Sequence, residues 1–540
     1  MPKQLLNQSL LKNILILSFF GILILVGTSI YKDYGISWDE PEQRLSGLVS
    51  LKYVGEYFDI VQIKKSEALA EYHQFKLDSY RDRAFGVAFE MPLVALERVF
   101  QRSDERDIYF FRHYVNFLVF ILGAYAVFRL SERRFESWRI GLLTTTFLIL
   151  TPRLFAESFY NSKDLVFLAC FAIATNTTII FVLKPSLKNA FWHGLATAVA
   201  MDVRLMAIIL PVYTVILLLL RSVRNEQNVK EALAFGALYF FFSALCVIAF
   251  WPWLWSAPGT NFLEALLSFT RWVRSDVYML YDGMIIRSLT LPWHYLPTWI
   301  SITTPPLYLF LGLIGMGSIF INIRLKKLLL WKDNKEFQDI FFLGLFLGPI
   351  LAVIFLHSVI YDGWRHLYFI YPAFLVIATK GWLEIWNFFQ FNAWKKNIFI
   401  LVTLGSMGTT AHWMWTSHPY QNVYFNFLVG SGWKDKYDLD YWGLSNRRAL
   451  ELILNQDSRP LIKVRAGSNT PLYHALKGLS PNDRKRFEVI TDENKADYIV
   501  LNFRGKTVDD QLLANNFHLQ SRIMVSDEPI LEIWRRNTAR

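Results

Sequence analysis

Ile36-Ser37-Trp38-Asp39-Glu40-Pro41 lies just beyond the first long apolar run of the chain. Two adjacent carboxylates at the edge of a hydrocarbon region are costly, because an ion withdrawn from water is destabilised unless it is paired. A local explanation exists. Asp39 suits the N-cap of a following helix, and Pro41 suits its first turn. The choice between a cap and a chemical group turns on what else the chain brings to the same side of a membrane.

The chain has 540 residues, 53% of them hydrophobic and 16% aromatic, with 45 Phe and 19 Trp. That apolar share exceeds what water-soluble domains carry and marks a polytopic membrane protein, with length left for a small soluble domain. The net charge of +11 arises largely in short loops between apolar runs, a pattern of cytoplasmic membrane flanks rather than of nucleic-acid binding. Cys170 and Cys246 both sit inside apolar runs, so neither a disulfide framework nor a metal cluster is expected from them. The first apolar run follows Lys3 and Lys12 without a small-residue cleavage site, and is expected to be a retained helix.

Eleven apolar runs approach the spanning length of about 20 residues: 12–30, 108–128, 140–152, 164–183, 190–201, 205–220, 232–251, 304–323, 338–357, 366–383 and 397–415. Loops carrying Arg129, Arg133, Arg134 and Arg139, then Lys184 and Lys188, then Arg221, Arg224 and Lys230, then Arg324, Lys326, Lys327 and Lys332, then Lys395 and Lys396 alternate with the rest. Placing all of them in the cytoplasm satisfies the positive-inside rule, with the N-terminus inside and the C-terminus outside. Runs 140–151 and 190–201 would each rise only about 18 Å as helices, against a hydrocarbon core of about 30 Å. Their outer ends, at Pro152-Arg153 and Asp202-Val203-Arg204, should therefore stop within the membrane, where polar backbone is tolerated only beside a protein cavity. A cavity opening outward is expected.

The first outer loop, about 31–107, carries Leu45, Leu48, Leu51, Val54 and Phe58 at helical spacing, which suggests an amphipathic helix on the outer surface. Residues 84–96 form a second apolar piece, too short to cross and expected to lie at the interface. Trp251-Pro252-Trp253-Leu254-Trp255 reads either as an aromatic belt at the headgroups or as a sugar or lipid platform. After Trp415 the composition becomes that of soluble protein. A helical pattern at 447–455 and strand-like runs at 461–464, 487–491, 496–502, 519–525 and 530–534 predict a small α/β domain. The expected organisation is a transmembrane domain, 1–416, and a soluble extracytoplasmic domain, 417–540.

On the outer face this topology gathers Asp39 and Glu40; Arg112 and His113; Arg153, Glu157, Lys163 and Asp164; Asp202 and Arg204; and Asp362, Arg365 and His366. A carboxylate beside a reacting centre can take a proton from an acceptor hydroxyl, and Arg or Lys can hold a departing phosphate. Plainer roles compete: Arg365 and His366 as an interfacial anchor, His113 as a packing residue, Lys163 and Asp164 as a helix start.

The Trp38-Asp39-Glu40 triplet after the first run, the arginine entering the second, the 152–164 motif and the alternating plan resemble the GT-C superfamily of membrane glycosyltransferases. The similarity is greatest to bacterial members related to protein O-mannosyltransferases (glycosyltransferase family 39), over about residues 10–415. The resemblance implies a polytopic α-helical GT-C-like fold of about eleven transmembrane helices. It also implies a polyprenyl-phosphate-linked sugar donor and inverting transfer on the outer face. Carried onto this chain, it makes Asp39 the general base, with Glu40 beside it. Arg112 would hold the donor phosphate or organise the loop, and Asp164 matches a second acidic position. Arg153, Lys163, Arg204 and Arg365 are phosphate candidates from charge and placement alone.

The soluble C-terminal domain departs from the pattern of many relatives. Its charges show no recessed cluster in the sequence, so it is expected to dock the acceptor and do no chemistry. The sequence assigns no certain cofactor and leaves a divalent metal open, because Asp39, Glu40 and Asp164 could either bind one or leave it out; no zinc spacing or nucleotide-phosphate loop occurs. Expected partners are the donor lipid, membrane lipids and a protein, envelope glycan or lipid acceptor, with no nucleic acid, at the inner (plasma) membrane. A lipid-linked sugar flippase and a non-catalytic envelope assembly factor are the alternatives.

Overall fold

The computed structural model describes residues 2–64, 74–270, 276–326 and 330–537. Lys327, and the part of the first outer loop at 65–73, lie outside the described residues. The first half of the chain forms α1 (Pro2–Ile30), α2 (Glu40–Tyr57), α3 (Glu90–Val99), α4 (Glu105–Phe135), α5 (Trp138–Ile149), α6 (Pro152–Tyr160), α7 (Asp164–Leu183), α8 (Leu187–Val203), α9 (Ile209–Val223), α10 (Val229–Phe250) and α11 (Pro258–Thr270). A hairpin of β1 (Tyr278–Tyr281) and β2 (Met284–Arg287) precedes α12 (Tyr295–Thr303), α13 (Pro306–Lys326), α14 (Asn334–Phe355), α15 (Tyr371–Phe388) and α16 (Ala393–Thr416).

Every one of the eleven apolar runs is helical, and seven helices among the described residues are long and apolar enough to cross a membrane. Large apolar side chains such as Leu17, Phe241, Leu313 and Leu401 point out of the bundle, which hydrocarbon tolerates and water does not. The protein is a multi-pass membrane protein. The two short runs are short helices: α5 has 12 residues and α8 has 17. After α5 the chain turns by 74° into α6, and all nine residues of α6 are buried. Pro152 sits in the first turn of α6, where its missing N–H costs nothing.

Basic residues from separate loops converge at one end of the bundle. Lys12 pairs with Glu132, Arg134 grips Asp339 with two nitrogens, Lys335 meets Glu136, and Arg224 donates to the Trp331 carbonyl. The acidic and basic residues of the outer list lie at the other end. Close helix crossings rest on glycine: a Cβ at Gly381 of α15 would lie 2.0 Å from the Leu311 carbonyl of α13, so the two backbones approach as only small residues permit.

Two expectations about the outer segments change. The helix at 42–58 exists as α2, but it does not lie with one apolar face on a surface. It packs against α3 and buries Ser46, Gly47, Ser50 and Lys52 with Leu48 and Leu51, while Phe58 is exposed. Trp251 and Trp253 are buried rather than belted at headgroups. The Trp251 indole donates to the Arg83 carbonyl, 3.2 Å away.

The C-terminal part holds α17 (Ser445–Gln456) and β3 (Ile462–Ala466), β4 (Phe487–Val489), β5 (Tyr498–Leu501), β6 (Phe517–Val525) and β7 (Glu528–Arg536). The sheet runs β4-β3-β5-β7-β6, parallel over its first three strands and antiparallel over the last two. Tyr437, Tyr441, Trp442 and Leu444, just before α17, belong to the same apolar core as the bundle.

Candidate active site

Asp39 occupies the cap position of α2 but makes no side-chain cap bond, so capping does not account for it. Its neighbour is what fastens the loop. Glu40 accepts the Ser37 N–H at 2.7 Å, and its other oxygen lies 2.9 Å from His113 Nε2 of α4. His113 Nδ1 faces the Tyr31 carbonyl at 3.2 Å. Glu40 is thus buried between α1, α2 and α4, while Asp39 is left at the rim of a cavity of about 1000 Å³.

Lys163, Asp202, Arg204, Arg365 and His366 line the same cavity, together with Phe85 and Trp251. Helix ends produce this arrangement. The start of α7 brings Lys163 to the cavity and the end of α8 brings Asp202 and Arg204, with Asp164 just behind, paired with Arg204. Arg365 comes from the 3₁₀ turn that opens α15. Its Nη1 lies 3.3 Å from Asp39 Oδ2 and 3.1 Å from Asp164 Oδ2, and its Nη2 lies 3.5 Å from Asp362. The guanidinium carbon lies 4.7 and 5.1 Å over the Trp442 and Tyr361 ring centroids.

The two aspartates on Arg365 are not equivalent. Asp164 also pairs with Arg204, receives the Asn161 amide at 3.1 Å, and its side chain is 1% exposed. Asp39 pairs with Arg365, and its side chain is 40% exposed. Of the two, Asp39 is the one open to the cavity, while Asp164 fixes the two arginines.

Lys163 Nζ lies 3.4 Å over the Phe85 ring. Burial, and then the nearby Arg204, push its ammonium down to about 7. Asp202 holds the far wall: its Oδ1 accepts the Ala88 N–H at 2.6 Å, and a Cβ on Gly86 would lie 2.1 Å from its carbonyl.

Three expected site residues stand elsewhere. Arg112 is fully buried and paired with Glu90 and Glu97, so it organises the first loop and does not line the cavity. Arg153 donates to the Tyr424 carbonyl at 2.9 Å and lies over the Trp299 and Phe425 rings. Glu40 is the loop fastener described above. Each is committed to a partner that sequence alone does not reveal. Asp39, Glu40 and Asp164 do not converge on a point, and no group of three metal-binding side chains occurs among the described residues.

The structure gives partners to two further members of the outer cluster, and adds Arg504 and Asp438. Glu157 accepts from Tyr368 at 2.8 Å, Tyr441 at 3.1 Å and Asn161 at 2.7 Å, which locks α6 to the C-terminal segment. Asp362 pairs with Arg504 of the sheet domain as well as with Arg365. The expectation that the C-terminal domain carries no recessed charge is therefore corrected. Arg504 and Asp438 are both buried there, and burial pushes the Asp438 carboxyl up to about 6.

Residues 99–255 match the family described as dolichyl-phosphate-mannose-protein mannosyltransferase. The chain resembles the GT-C membrane glycosyltransferases. The matched stretch contains Arg112, Arg153, Lys163, Asp164 and Arg204, and stops short of Asp39 and Arg365. Among solved structures, ArnT from Cupriavidus metallidurans bound to undecaprenyl phosphate is similar at 13% identity and a TM-score of 0.49, over 97% of this chain and 98% of that one. ArnT from the same organism in the apo state is similar at 12% identity and a TM-score of 0.47, over the same 97% and 98%. No curated protein matches the sequence.

Proposed function

We propose that this GT-C-like protein transfers a sugar from a polyprenyl-phosphate carrier to an acceptor hydroxyl at the outer face of the inner (plasma) membrane, with Asp39 as general base. One observation carries the reading: the half-exposed Asp39 shares a cavity with Lys163, Arg204 and Arg365. The carrier class follows from the description of the family that residues 99–255 match.

In the reaction, the acceptor hydroxyl gives its proton to an Asp39 oxygen as its own oxygen attacks the anomeric carbon. The new glycosidic bond forms on the face opposite the phosphate, and the old carbon–oxygen bond breaks with inversion. The electron pair leaves with the polyprenyl phosphate, whose added charge falls to Lys163, Arg204 and Arg365. Guanidinium forks suit phosphate oxygens because their paired N–H groups match that geometry. Arg365 also aims Asp39, whose Oδ2 lies 3.3 Å from its Nη1.

The test is transfer by purified protein from a panel of undecaprenyl-phosphate monosaccharides to cell-envelope fractions, with the labelled product identified by mass spectrometry. Asp39→Asn keeps shape and removes the proton acceptor. Turnover should fall by about two to four orders of magnitude, with binding of undecaprenyl phosphate retained. Near-normal transfer by a well-inserted Asp39→Asn protein would refute the base, and vesicle uptake without product would favour a carrier.

A further inference from the structure

The loop that follows β5 has an unusual backbone. Phe503 has φ 66° and Gly505 has φ 54°, so left-handed conformations flank Arg504 on both sides. An aromatic residue there is a true outlier, and such strain persists only where the surroundings impose it. Here they do. Asn502 donates to the Asp440 carbonyl at 3.1 Å, Arg504 N donates to Asn502 Oδ1 at 3.3 Å, and Asn469 N donates to the Arg504 carbonyl at 3.0 Å. A Cβ at Gly505 would lie 2.1 Å from Asn469 Nδ2.

These bends turn Arg504 out of the sheet domain and into the bundle. It is buried there, pairs with Asp362 Oδ1, and lies 5.8 Å over the Trp38 ring next to Asp39. Asp438, held by the Leu280 N–H at 3.0 Å, flanks it on the hairpin side. The opposite oxygen of Asp362 faces Arg365 at 3.5 Å. Charges therefore alternate without a break, from Arg504 to Asp362 to Arg365 to Asp39 and Asp164.

We infer that Arg504 is a positioning residue of the transfer reaction, engaging Asp362 so that Arg365 remains committed to Asp39. The role rests on the reading of Asp39 given above. Arg365 stands almost equally far from Asp39, at 3.3 Å, and from Asp362, at 3.5 Å. Take Arg504 away and Asp362 becomes a buried carboxylate with one cation left to claim. Asp39, which water can reach, gives that cation up more readily than Asp362, whose side chain is 9% exposed. The base and the phosphate-side arginine then drift apart, and a displacement of that kind away from the chemistry costs rate rather than binding.

The test is a cycle in the full-length protein, using the undecaprenyl-phosphate monosaccharide that the wild type turns over best. Arg504→Gln should lower kcat by at least about tenfold while leaving KM for the sugar lipid within about twofold. Arg504→Lys should recover part of the loss. The decisive variant adds Asp362→Asn to Arg504→Gln. With the competing carboxylate neutral, Arg365 returns to Asp39, and kcat of the double variant should exceed that of Arg504→Gln alone. A merely structural contact would show no such suppression. An active wild type with losses that multiply in the double variant, or an Arg504→Gln protein with unchanged kcat, would overturn this role alone. A wild type that transfers no sugar from any lipid of the panel would overturn the proposed function, and this role with it.

Discussion

Asp39 and Asp164 share one arginine and yet differ in what they can do, because one is satisfied on both oxygens and the other opens on a cavity. The same contrast separates Asp39 from Glu40. Glu40→Gln keeps an acceptor for the Ser37 N–H but alters the carboxylate that lies 2.9 Å from His113 Nε2. It should cost about 1–3 kcal/mol of stability, read as a lower melting temperature in detergent, and should slow turnover less than Asp39→Asn does. Lys163 sets a pH dependence. Its folded-state value of about 7 lies below that of a free lysine, so in the empty cavity it is charged below about 7 and neutral above. A sugar-linked phosphodiester carries one fixed charge across this range. Its affinity should therefore hold below pH 7 and decline as the pH rises beyond it, by at most about tenfold per unit. Arg in place of Lys163 stays charged and should flatten the profile in equilibrium binding from pH 5.5 to 9.

At the scale of elements, apolar length and turn chemistry were the readable part. All eleven runs became helices because a run of that composition in hydrocarbon has no other way to satisfy its backbone. Of the two runs that were too short, 190–201 delivers Asp202 and Arg204 to the cavity, whereas Pro152-Arg153 at the end of 140–151 turns into buried α6 and stays off it. The strands of the C-terminal sheet followed from alternating runs. The β1–β2 hairpin was legible but unread: Asp282-Gly283 has positive φ at both positions, which is the usual signal for a two-residue turn. Pairing was not legible. Nothing near Arg112 or Arg153 in sequence announces Glu97 or the Phe425 ring as the partner, and a buried arginine looks like any other until its carboxylates are in place. Helix crossings were invisible for the same reason. Gly381→Val in α15 would press on the Leu311 carbonyl of α13. It should destabilise the bundle by about 1–3 kcal/mol, measured by thermal unfolding of the detergent-solubilised protein, with Gly405→Val in α16, which meets nothing within 4 Å, as the control.

For the whole molecule, the alternation of basic loops sets an orientation that a reporter fusion can check. A reporter active only in the cytoplasm should work after Arg134 and stay silent after Trp415. The contacts of the sheet domain change what truncation should do. Ending the chain after Ser417 removes Tyr441 from Glu157, Trp442 from Arg365 and Arg504 from Asp362. Both transfer and binding of undecaprenyl phosphate should be lost, where a detachable acceptor-docking module would have spared binding. The distance between these partners along the chain has a further consequence. Asp39 is made near the start and Arg504 near the end of 540 residues. At about 5–20 residues per second, a ribosome separates them by roughly half a minute to a minute and a half. During that interval the nascent chain already displays its cations in the membrane, but the contact that steadies Arg365 does not yet exist. On the proposed reading, synthesis acts as a timer: a chain stalled before residue 504 lacks this contact and should transfer little sugar until the sheet domain has folded against the bundle.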